Sequence, residues 1–589
     1  MANITINDIP VKVKNGTTIL NACKSIGVKI PTLCFIEEIN EIGFCRICVV
    51  EVEGEQDLVS ACNTEITNGM VVKTDSELVL ESRKNTLRLL ASKHKFNCWQ
   101  CPKDGECEFY DILKTYNVVF DEFGPGTGRN SEVIKGTGIS MDQSKCILCK
   151  RCVAVCKDVV TAKVLKFRDD DGLNPFVSPT VGLSFDETGC IFCGACVNVC
   201  PTGTLHETDH IKRVEAMLKD PNKFVVVQPA PAVRAAIGEE FGMKIGTPVK
   251  EVEGKMYRAL KLLGFDNITD VNWAADLTVM EEGTELIDRL QNGGKLPMFT
   301  SCCPSWVRYT ELFRPEYIEH LSSVKSPHMM QGSLIKHYYA PKYLKKSPKE
   351  VFVVSVMPCT SKKYEIERPE MESDGVRDVD AVLTIRELAK MIKRKGIKFN
   401  DLEDYVPESP LAKFTGAGTI FGASGGVMEA ALRTVSHKLD GGPLEKIEYK
   451  FTKGTPENYA KGVIKEATVT IAGHKLNIAV VNGGTAIKEM YEIIDSGKKQ
   501  YHFIEFMNCA GGCVNGGGMP IVHDLPAHEV IIKRSDALYR QDEQDLPLRK
   551  SHENTAVLKA YDEFLKEPGS EVAHKHCHTT YSQKEYRNE

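Results

Sequence analysis

From residue 222 onward, apolar runs of strand length alternate with stretches of helical pattern, as in "KFVVVQPAPAVRAAIGEEF". Near-continuous Val, Ile and Phe runs between helices predict strands buried on both faces, and therefore parallel α/β layers. Four such runs end in loops with special residues: "VVVQPAPAV", "LPMFTSCCPSW", "VFVVSVMPCTSKK" and "YHFIEFMNCAGGC". Ligands of such sheets bind beyond the carboxyl ends of the strands. At this edge of the predicted sheets the loops carry five cysteines: Cys302, Cys303, Cys359, Cys509 and Cys513.

The first 210 residues have a different pattern, in which short β-like runs such as "ITINDIPVKV" and "RICVVEVEG" lie between cysteine-bearing loops. A chain of 589 residues is too long for a single core, so several domains are expected. We predict a multidomain protein of α+β and α/β units. The domains are expected to span residues 1–78, 79–125, 126–208 and 209–589.

Cysteine content, net charge and the lack of long apolar runs restrict the possible classes of function. The chain has 22 cysteines, and 74 Lys and Arg against 80 Asp and Glu give a net charge of -6. This balance does not favour nucleic acid or a strongly charged partner surface. A signal-peptide pattern and an apolar run of about 18 residues are both missing, so the sequence predicts a cytoplasmic protein without a membrane span. Thiols stay reduced in the cytoplasm, so clustered cysteines indicate metal binding or catalysis before disulfides.

The first cysteine group comprises Cys34, Cys45, Cys48 and Cys62, on loops of a small β-rich domain. Their spacing differs from that of plant-type ferredoxins, but such a domain is typical of a 2Fe-2S cluster, with zinc as the alternative. Cys23 lies in the helix-like "TILNACKSIG" and is expected to be a buried core residue.

The second group is in "HKFNCWQCPKDGEC" and comprises His94, Cys98, Cys101 and Cys107. This spacing suits zinc as well as an iron-sulfur cluster. Its position between two iron-sulfur candidates favours an iron-sulfur cluster over zinc. A neutral imidazole in place of a thiolate makes such a cluster one charge more positive, which should alter its reduction potential.

The third group is duplicated. "CILCKRCVAVC" and "CIFCGACVNVC" both follow C-x2-C-x2-C-x3-C, the pattern of bacterial two-cluster ferredoxins. In that pattern the fourth cysteine of each run ligates the cluster of the other run. We therefore assign one 4Fe-4S cluster to Cys146, Cys149, Cys152 and Cys200, and the second to Cys190, Cys193, Cys196 and Cys156. Eight cysteines at this spacing leave little room for zinc.

The stretch "EFMNCAGGCVNGGG" sets Cys509 and Cys513 among five glycines, directly after a β-prone run. A catalytic nucleophile needs one cysteine, and a disulfide does not need the glycines. A metal cluster approached by bare backbone accounts for both, because a β-carbon would collide with it. A simple glycine-rich turn is the alternative, but it explains only the bend.

"FTSCCPSW", "MPCTSKK" and "FMNCAGGCVNGGG" resemble the three signature motifs of the iron-only (FeFe) hydrogenases, and the whole chain is similar to their long monomeric clostridial form. The resemblance implies a β-grasp 2Fe-2S domain, a 4Fe-4S domain with one histidine and three cysteine ligands, a two-cluster ferredoxin domain and a large catalytic domain. It also implies an H-cluster, a 4Fe-4S cubane joined through one thiolate to a diiron unit with carbonyl, cyanide and azadithiolate ligands. By motif, the cubane ligands are Cys303, Cys359, Cys509 and the bridging Cys513.

Cys302 is not needed as a ligand of the cubane. A thiol with the ordinary pKa of about 8.5 can act as an acid near neutral pH, and the resemblance makes Cys302 the proton relay to the dithiolate amine. "TVMEEGTELIDRL" places Glu282, Glu285 and Arg289 on one helix face, a pattern that alone is typical of a solvated charged face. The resemblance implies a proton channel through Arg289, Glu285, Ser322, Glu282 and Cys302.

Other roles implied by the resemblance concern the surroundings of the diiron unit. Lys362 would hydrogen-bond a cyanide ligand, although a surface lysine is the alternative. Pro231, Met357 and Met507 would pack around the unit, or be ordinary core residues. Four residues differ from the usual family pattern without removing a ligand: Asn508, Ala510, Met519 and His328.

The tail "VAHKHCHTTY" gathers His574, His576, Cys577 and His578. A metal site is one interpretation. The other, which we favour, is the divergent end of the docking tail of the family.

The sequence thus predicts an FeFe hydrogenase that interconverts protons, electrons and dihydrogen. Electrons would come from ferredoxin or a similar one-electron carrier, enter at the 2Fe-2S or His-ligated cluster, and pass through the ferredoxin-like pair. The resemblance also implies maturation proteins that build the diiron unit. Two alternatives stay open: the catalytic subunit of an NAD-linked or electron-bifurcating hydrogenase with flavin-bearing partners, and a non-enzymatic H2-sensing or iron-sulfur assembly protein.

Overall fold

The fold is described from a computed structural model that covers residues 1–119, 132–169, 174–440, 442, 444, 447–455, 462–523 and 525–587. The predicted boundary at residues 125/126 lies outside these described residues. The secondary structure confirms a mixed α/β chain: a five-stranded sheet and two small sheets precede residue 210, and a four-stranded and a second five-stranded sheet follow it.

The first domain is a five-stranded sheet in the order β2-β1-β5-β3-β4. Its elements are β1 (Ala2–Ile6), β2 (Ile9–Val13), α1 (Ile19–Ser25), β3 (Val49–Val52), β4 (Val59–Ser60) and β5 (Val71–Lys73). The strands β1 and β5 pair in parallel and the other neighbours pair antiparallel. Helix α1 begins at Thr18, whose hydroxyl accepts from the backbone N–H of Asn21. Cys23 on this helix is fully buried, as predicted.

Two helices follow, α2 (Glu77–Ala91) and α3 (Glu108–Thr115). Their apolar faces share one core with the loops of the domains on either side. In that core Leu87 and Phe109 pack with Cys34 from the first domain and Cys149 from the third. This packing holds the three cysteine-bearing domains against each other.

The third domain contains β6 (Val133–Ile134), β7 (Ile139–Asp142), α4 (Arg151–Ala154), β8 (Lys166–Arg168), β9 (Phe176–Ser178), α5 (Ala195–Asn198) and β10 (Leu205–Glu207). The duplicated cysteine runs adopt the same backbone. Lys150 before α4 has a φ of 63° and Gly194 before α5 has a φ of 74°. The repeat in the sequence is therefore a repeat in structure.

The large domain contains the remaining elements. Its strands are β11 (Phe224–Pro229), β12 (Asn267–Ile268), β13 (Met298–Phe299), β14 (Val351–Met357), β15 (Glu372–Ser373), β16 (Val376–Arg377), β17 (Ala381–Thr384), β18 (Lys450–Lys453), β19 (Val463–Ile471), β20 (His474–Asn482) and β21 (Phe503–Met507). Its helices are α6 (Ile211–Met217), α7 (Pro231–Arg234), α8 (Glu253–Leu263), α9 (Val271–Asn292), α10 (Pro304–Phe313), α11 (Pro327–Leu334), α12 (Ser361–Glu365), α13 (Ile385–Arg394), α14 (Gly416–Ile420), α15 (Gly426–Asp440), α16 (Gly484–Asp495), α17 (Ala527–Arg540), α18 (Thr555–Ala560) and α19 (Glu571–Cys577).

Three of the four apolar runs form inner strands of two sheets (β11, β14 and β21), and the fourth forms the edge strand β13. One sheet has the order β12-β11-β14-β17 and is entirely parallel. The other has the order β13-β21-β20-β19-β18, with parallel pairs at the β13 end and antiparallel pairs beyond β20. The parallel prediction is confirmed for all four runs, and it brings their carboxyl-end loops to one region.

Packing fixes the position of these loops. The ring of Trp306, just after Cys303, stacks on Phe506, just before the Cys509 loop, with centroids 3.9 Å apart. Both rings are fully buried. Such a stacked pair contributes about 0.5–1.5 kcal/mol beyond its buried area, so two of the cysteine loops are held in a fixed relation.

Candidate active site and electron-transfer centres

The loops after β11, β13, β14 and β21 meet at an internal cavity of about 80 Å³. Its lining includes all nine residues that the sequence analysis places near the cluster and the diiron unit: Pro231, Cys302, Cys303, Met357, Cys359, Lys362, Met507, Cys509 and Cys513. The other lining atoms are mostly apolar. The sheet topology thus gathers side chains from positions 231 to 513 at one point.

Four buried thiols form the donor set of this cavity. Burial raises the pKa of Cys303, Cys359, Cys509 and Cys513, and the negative charge of neighbouring cysteines adds to the shift of the last three. Four buried thiols this close together lose their protons readily only when a cation binds them. The chemistry of the donor set fits an iron-sulfur cubane, whose ligands are thiolates.

Backbone N–H groups favour negative charge on two of these sulfurs. Cys303 lies directly before α10 and accepts from the N–H groups of Ser305 and Trp306. Cys359 accepts from the N–H groups of Ser361 and Lys362 in the first turn of α12. The first N–H groups of a helix have no partner within the helix, so thiolate sulfurs are well placed there.

Two glycines of the last motif allow close backbone contacts that the sequence did not predict. A Cβ on Gly516 would lie 2.1 Å from the carbonyl oxygen of Pro358, and one on Gly517 would lie 2.3 Å from that of Cys193. These glycines let the motif loop approach the Cys359 loop and the Cys193 loop of the third domain. Gly512 and Gly516 also line the active-site cavity. That the glycines clear space for the cluster itself stays a prediction.

A line of polar side chains leads from α9 to the cavity. The hydroxyl of Ser322 donates to Oε2 of Glu285 at 2.9 Å, and Ser322 is also a hydrogen-bond partner of Glu282. Glu282 lies close enough to Cys302 for its charge to affect the thiol. Burial, reinforced by the charge of Glu285, raises the pKa of Glu282 to about 8. The predicted helix face is therefore buried at Glu282 and not solvated.

Arg289 anchors the outer end of this line. Its guanidinium donates to Oε1 of Glu285 at 2.6 Å and to the carbonyl oxygens of Lys295, Glu319, His320 and Leu321. A guanidinium keeps its protons in proteins, so it cannot release one to a neighbour. Arg289 fixes Glu285 in place, and it does not suit the proton-carrying step that the sequence analysis assigned to it.

Cys302 differs from the ordinary thiol that the sequence suggested. Burial raises its pKa well above the usual range, and the nearby Glu282 and Cys303 add to the shift. Its proton is therefore held tightly and leaves only to a strong acceptor. The expectation of an ordinary thiol pKa was wrong because it took no account of burial.

Lys362 is buried and not a surface residue, with 9% of its area exposed. Its Nζ donates to the carbonyl oxygen of Cys302 at 3.0 Å and to Oε2 of Glu365 at 2.8 Å. The same oxygen of Glu365 lies 2.7 Å from Nε2 of His328, whose Nδ1 lies 3.0 Å from the hydroxyl of Ser355. Sequence reasoning missed Glu365, which shares the motif "CTSKKYE" with Lys362 at a spacing of three residues.

The ferredoxin-like cysteines fall into the two predicted groups. Cys152 lies among Cys146, Cys149 and Cys200, whose charges add to burial in raising its pKa. Cys196 lies in the same way among Cys190, Cys193 and Cys156. The fourth cysteine of each run thus lies with the other run, which is the crossed grouping expected from the spacing.

His94 shares a cavity of about 270 Å³ with Cys98, Cys101 and Cys107. Its Nδ1 lies 3.0 Å from the carbonyl oxygen of Lys145, to which it can donate. That hydrogen bond fixes the ring and leaves Nε2 with its lone pair. Burial lowers the pKa of His94 to about 4, so the imidazole is neutral, as a metal ligand must be.

The cysteines of the first domain lie in two contacting pairs, Cys34 with Cys45 and Cys48 with Cys62. The backbone N–H of Cys45 donates to the sulfur of Cys34 at 3.5 Å. In the described residues no group of three or more His, Cys, Asp and Glu side chains could hold a single metal ion.

Direct contacts join neighbouring cysteine groups. Asn40 donates to the carbonyl oxygens of Cys34 and Cys149, at 2.6 and 3.3 Å. The sulfur of Cys107 lies 3.5 Å from the carbonyl oxygen of Pro201, next to Cys200. Two separate routes therefore lead into the ferredoxin-like pair, one from the first domain and one from the second.

Asn508 joins the pair to the active-site cavity. Its side chain is a hydrogen-bond partner of Cys193, and its backbone N–H is one of Cys303. Its side-chain oxygen has no partner of its own and is buried. One residue thus contacts sulfurs of both sites.

The histidines of the tail point to different partners. Nδ1 of His576 lies 2.9 Å from the hydroxyl of Ser333, whereas Nδ1 of His578 lies 2.8 Å from that of Ser323. Cys577 is fully buried between them. His576 and His578 thus have separate hydrogen-bond partners.

These features define a multi-centre iron-sulfur oxidoreductase with a buried, proton-accessible cavity. Four family profiles match the chain. "Iron only hydrogenase large subunit, C-terminal domain" matches residues 223–517 and "Iron hydrogenase small subunit" matches 528–584. "2Fe-2S iron-sulfur cluster binding domain" matches 1–77 and "4Fe-4S dicluster domain" matches 145–204.

The chain is 45% identical over 588 residues to iron hydrogenase 1 of Clostridium pasteurianum, covering 99% of this chain and all of that one. It is 42% identical to the NADP-reducing hydrogenase subunit HndD of Solidesulfovibrio fructosivorans, with 99% of each chain covered. Among solved structures, a variant of the FeFe-hydrogenase HydA1 from Chlamydomonas reinhardtii matches with a TM-score of 0.58 and 35% identity, over 64% of this chain and 100% of that chain.

The chain belongs to the iron-only (FeFe) hydrogenase family. It is a hydrogenase, an enzyme that interconverts protons, electrons and dihydrogen, and the activity predicted from the sequence is confirmed. The tail lies within the small-subunit match, in agreement with the favoured interpretation of residues 574–578. In the described residues, no helix is both long and apolar enough to cross a membrane.

Proposed function

We propose that this hydrogenase works at an H-cluster held by Cys303, Cys359, Cys509 and Cys513, with Cys513 shared between the cubane and the diiron unit. The bound H-cluster supplies the site at which protons and electrons combine into dihydrogen. Four converging buried thiols at an apolar cavity support this assignment. Pro231, Met357 and Met507 contribute apolar wall to the cavity, which excludes water from it.

The residues around Lys362 hold one positive charge at the cavity. Lys362 is fixed between the Cys302 carbonyl and the Glu365 carboxylate, so its ammonium is already oriented toward the cavity lining. A buried ammonium is a strong hydrogen-bond donor for an anionic ligand such as cyanide. This supports the predicted role of Lys362.

Protons are proposed to move along Glu285, Ser322, Glu282 and Cys302. The observation that carries the proposal is the buried line in which Ser322 hydrogen-bonds both Glu285 and Glu282, and Glu282 lies close enough to Cys302 for its charge to affect the thiol. Glu282 is protonated at neutral pH because its pKa is near 8, so it holds a proton beside the thiol. A sensing or assembly protein would have no need for this line, which disfavours the non-enzymatic alternative.

Electrons are proposed to enter at the 2Fe-2S cluster of the first domain or at the His94 cluster. The ferredoxin-like pair accepts them through the Asn40 and Pro201 contacts and passes them on past Cys193. This gives four accessory clusters, three of them 4Fe-4S. Ferredoxin or a similar carrier is the proposed donor, maturation proteins the source of the diiron unit, and the cytoplasm, where thiols stay reduced, the location.

A second candidate is the catalytic subunit of an NAD-linked or electron-bifurcating hydrogenase. The full-length similarity to an NADP-reducing hydrogenase subunit favours it. The two candidates share the chemistry of the cavity and differ only in their partners. Co-purification with flavin-bearing subunits would distinguish them.

The test is dihydrogen release by the purified single chain, made anaerobically with the maturation machinery and supplied with a chemically reduced one-electron dye. We expect robust release. Infrared bands of bound carbonyl and cyanide without release would indicate an obligate subunit or a sensor. Absence of both the bands and the activity would contradict the proposal.

A further inference from the structure

We propose that His578 is the solvent-side proton donor and acceptor of this enzyme, passing protons through Ser323 to Glu285. This inference rests on the proposed proton line and supplies its missing outer end. Arg289 contacts Glu285 from outside, but a guanidinium does not give up a proton. Imidazole is the side chain that gains and loses a proton near neutral pH.

The contacts of His578 are continuous with that line. Nδ1 of His578 lies 2.8 Å from the hydroxyl of Ser323, and that hydroxyl donates to Oε2 of Glu285 at 3.3 Å. The same Oε2 accepts from Ser322, the next member of the line, at 2.9 Å. Because the Ser323 hydroxyl donates to the carboxylate, it is free to accept an N–H from the imidazole.

The tail backbone holds the ring in this place. The N–H of Lys325 donates to the carbonyl oxygen of Cys577 at 2.7 Å, and the N–H of Thr579 donates to that of Ser323 at 2.8 Å. These bonds flank an antiparallel bridge between Val324 and His578. The tail is thus a short strand partner of the segment that carries Ser322 and Ser323.

The other side of the imidazole faces a charged group, and 7% of the His578 side-chain area is exposed. Nε2 lies 3.1 Å from Oε2 of Glu281, whose carboxylate also accepts from the hydroxyl of Tyr561 at 2.6 Å. The exposed ring of His574 contacts that of His578 in a tilted arrangement, with centroids 4.1 Å apart. Lys438 also lies close enough to Glu281 to be affected by its charge. Both ring nitrogens of His578 therefore have an oxygen to which an N–H can donate.

In the direction of dihydrogen release, doubly protonated His578 breaks its Nδ1–H bond and gives that proton to Ser323. The hydroxyl proton of Ser323 passes at the same time to Oε2 of Glu285. Two O–H bonds form, one N–H and one O–H bond break, and no electrons move. Water supplies the next proton to the imidazole on the side of His574, and dihydrogen oxidation runs the sequence in reverse.

The test uses the fully loaded enzyme and the variant His578→Gln, which can still hydrogen-bond Ser323 but carries no exchangeable charge. We expect dihydrogen release to fall by about tenfold or more, below the range of about 10²–10⁴ for a direct acid–base residue because water substitutes in part. In His578→Ala, added imidazole should restore part of the lost rate. Ser323→Ala should lose rate without imidazole rescue, because the hydroxyl is then missing.

A second readout does not depend on turnover. After a pH jump, the infrared carboxyl band that Glu282→Gln removes should change more slowly in His578→Gln than in the parent enzyme. His576→Gln is the matched control, since His576 lies on the same tail but bonds Ser333, outside the line. His474→Gln, on an exposed hairpin, controls for loss of any histidine.

The outcomes are distinguishable. An unchanged rate and unchanged band kinetics in His578→Gln, with Glu282→Gln inactive, would overturn the role of His578 and leave the proposed function standing. An equal loss in His576→Gln, without imidazole rescue of His578→Ala, would assign the tail a structural role and overturn the inference as well. Full activity of both Glu282→Gln and Cys302→Ser would contradict the proposed proton route itself, and with it the role of His578.

Discussion

Nε2 of His328 lies 2.7 Å from Oε2 of Glu365, the same oxygen that accepts from Lys362 at 2.8 Å. All three side chains are buried at the cavity or directly behind it. Burial and the nearby Lys362 lower the pKa of His328 to about 4, so the ring is neutral. A neutral imidazole that donates from Nε2 leaves the charge of the carboxylate to balance Lys362.

His328 is therefore a positioning residue for Lys362, and His328→Leu tests this role. Loss of the donor leaves a buried carboxylate oxygen one partner short, which costs about 1–3 kcal/mol of folding free energy. We expect a lower thermal midpoint and shifted cyanide infrared bands, with the iron content unchanged. His328→Gln retains an N–H donor and should restore both. Unshifted bands in His328→Leu would mean that Lys362 keeps its place without His328.

Cys302→Ser should keep all clusters and lose most turnover. The hydroxyl is smaller and a weaker acid than the thiol, so proton transfer from the Glu282 side is interrupted. We expect a loss of about 10²–10⁴ in the rate of dihydrogen release, the range for removal of an acid–base group. Iron analysis and infrared spectra check that the H-cluster is intact. Near-normal turnover with full iron content would contradict the relay role of Cys302.

Some of this site follows from local sequence and some does not. The cysteine loops could be predicted because each follows an apolar run that reads as a buried strand. Helix α9 could also be predicted, since Glu282 and Glu285 repeat at helical spacing. In contrast, the pairing of Ser323 with His578 joins positions 255 residues apart and depends on how the tail folds back. The local sequence pattern also gave a wrong expectation for the pKa of the Cys302 thiol, because burial depends on the tertiary structure.

The glycines illustrate a second limit. Their spacing correctly indicated that bare backbone is needed after β21. It could not indicate what approaches there, which is the carbonyl oxygen of Pro358 at Gly516 and that of Cys193 at Gly517. Tertiary packing determines which backbone segment approaches each glycine, so the local sequence cannot predict it.

The pKa of Glu282 near 8 predicts the pH at which its proton is lost. Since the pKa is raised, the neutral acid predominates below about pH 8, and dihydrogen release that uses this proton falls as the pH rises through that value. An infrared carboxyl band absent from Glu282→Gln should disappear over the same interval. Glu285→Gln removes one cause of the shift, so the midpoint should move down. A band that titrates near the ordinary carboxyl value of about 4.3 would contradict the prediction.

Asn508 should set the potential of the accessory cluster nearest the cavity. Its side chain hydrogen-bonds Cys193, and hydrogen bonds to cluster sulfurs stabilise the more negative, reduced state. We therefore expect Asn508→Ala to lower the midpoint potential of that cluster in an EPR-monitored redox titration. Asn515→Ala is the matched control, since Asn515 lies on the same loop and donates only to the carbonyl oxygen of Ala510, at 3.2 Å. Equal potentials in both variants and the parent would mean that the amide does not act on the cluster, and a rise in Asn508→Ala would reverse the assigned sign.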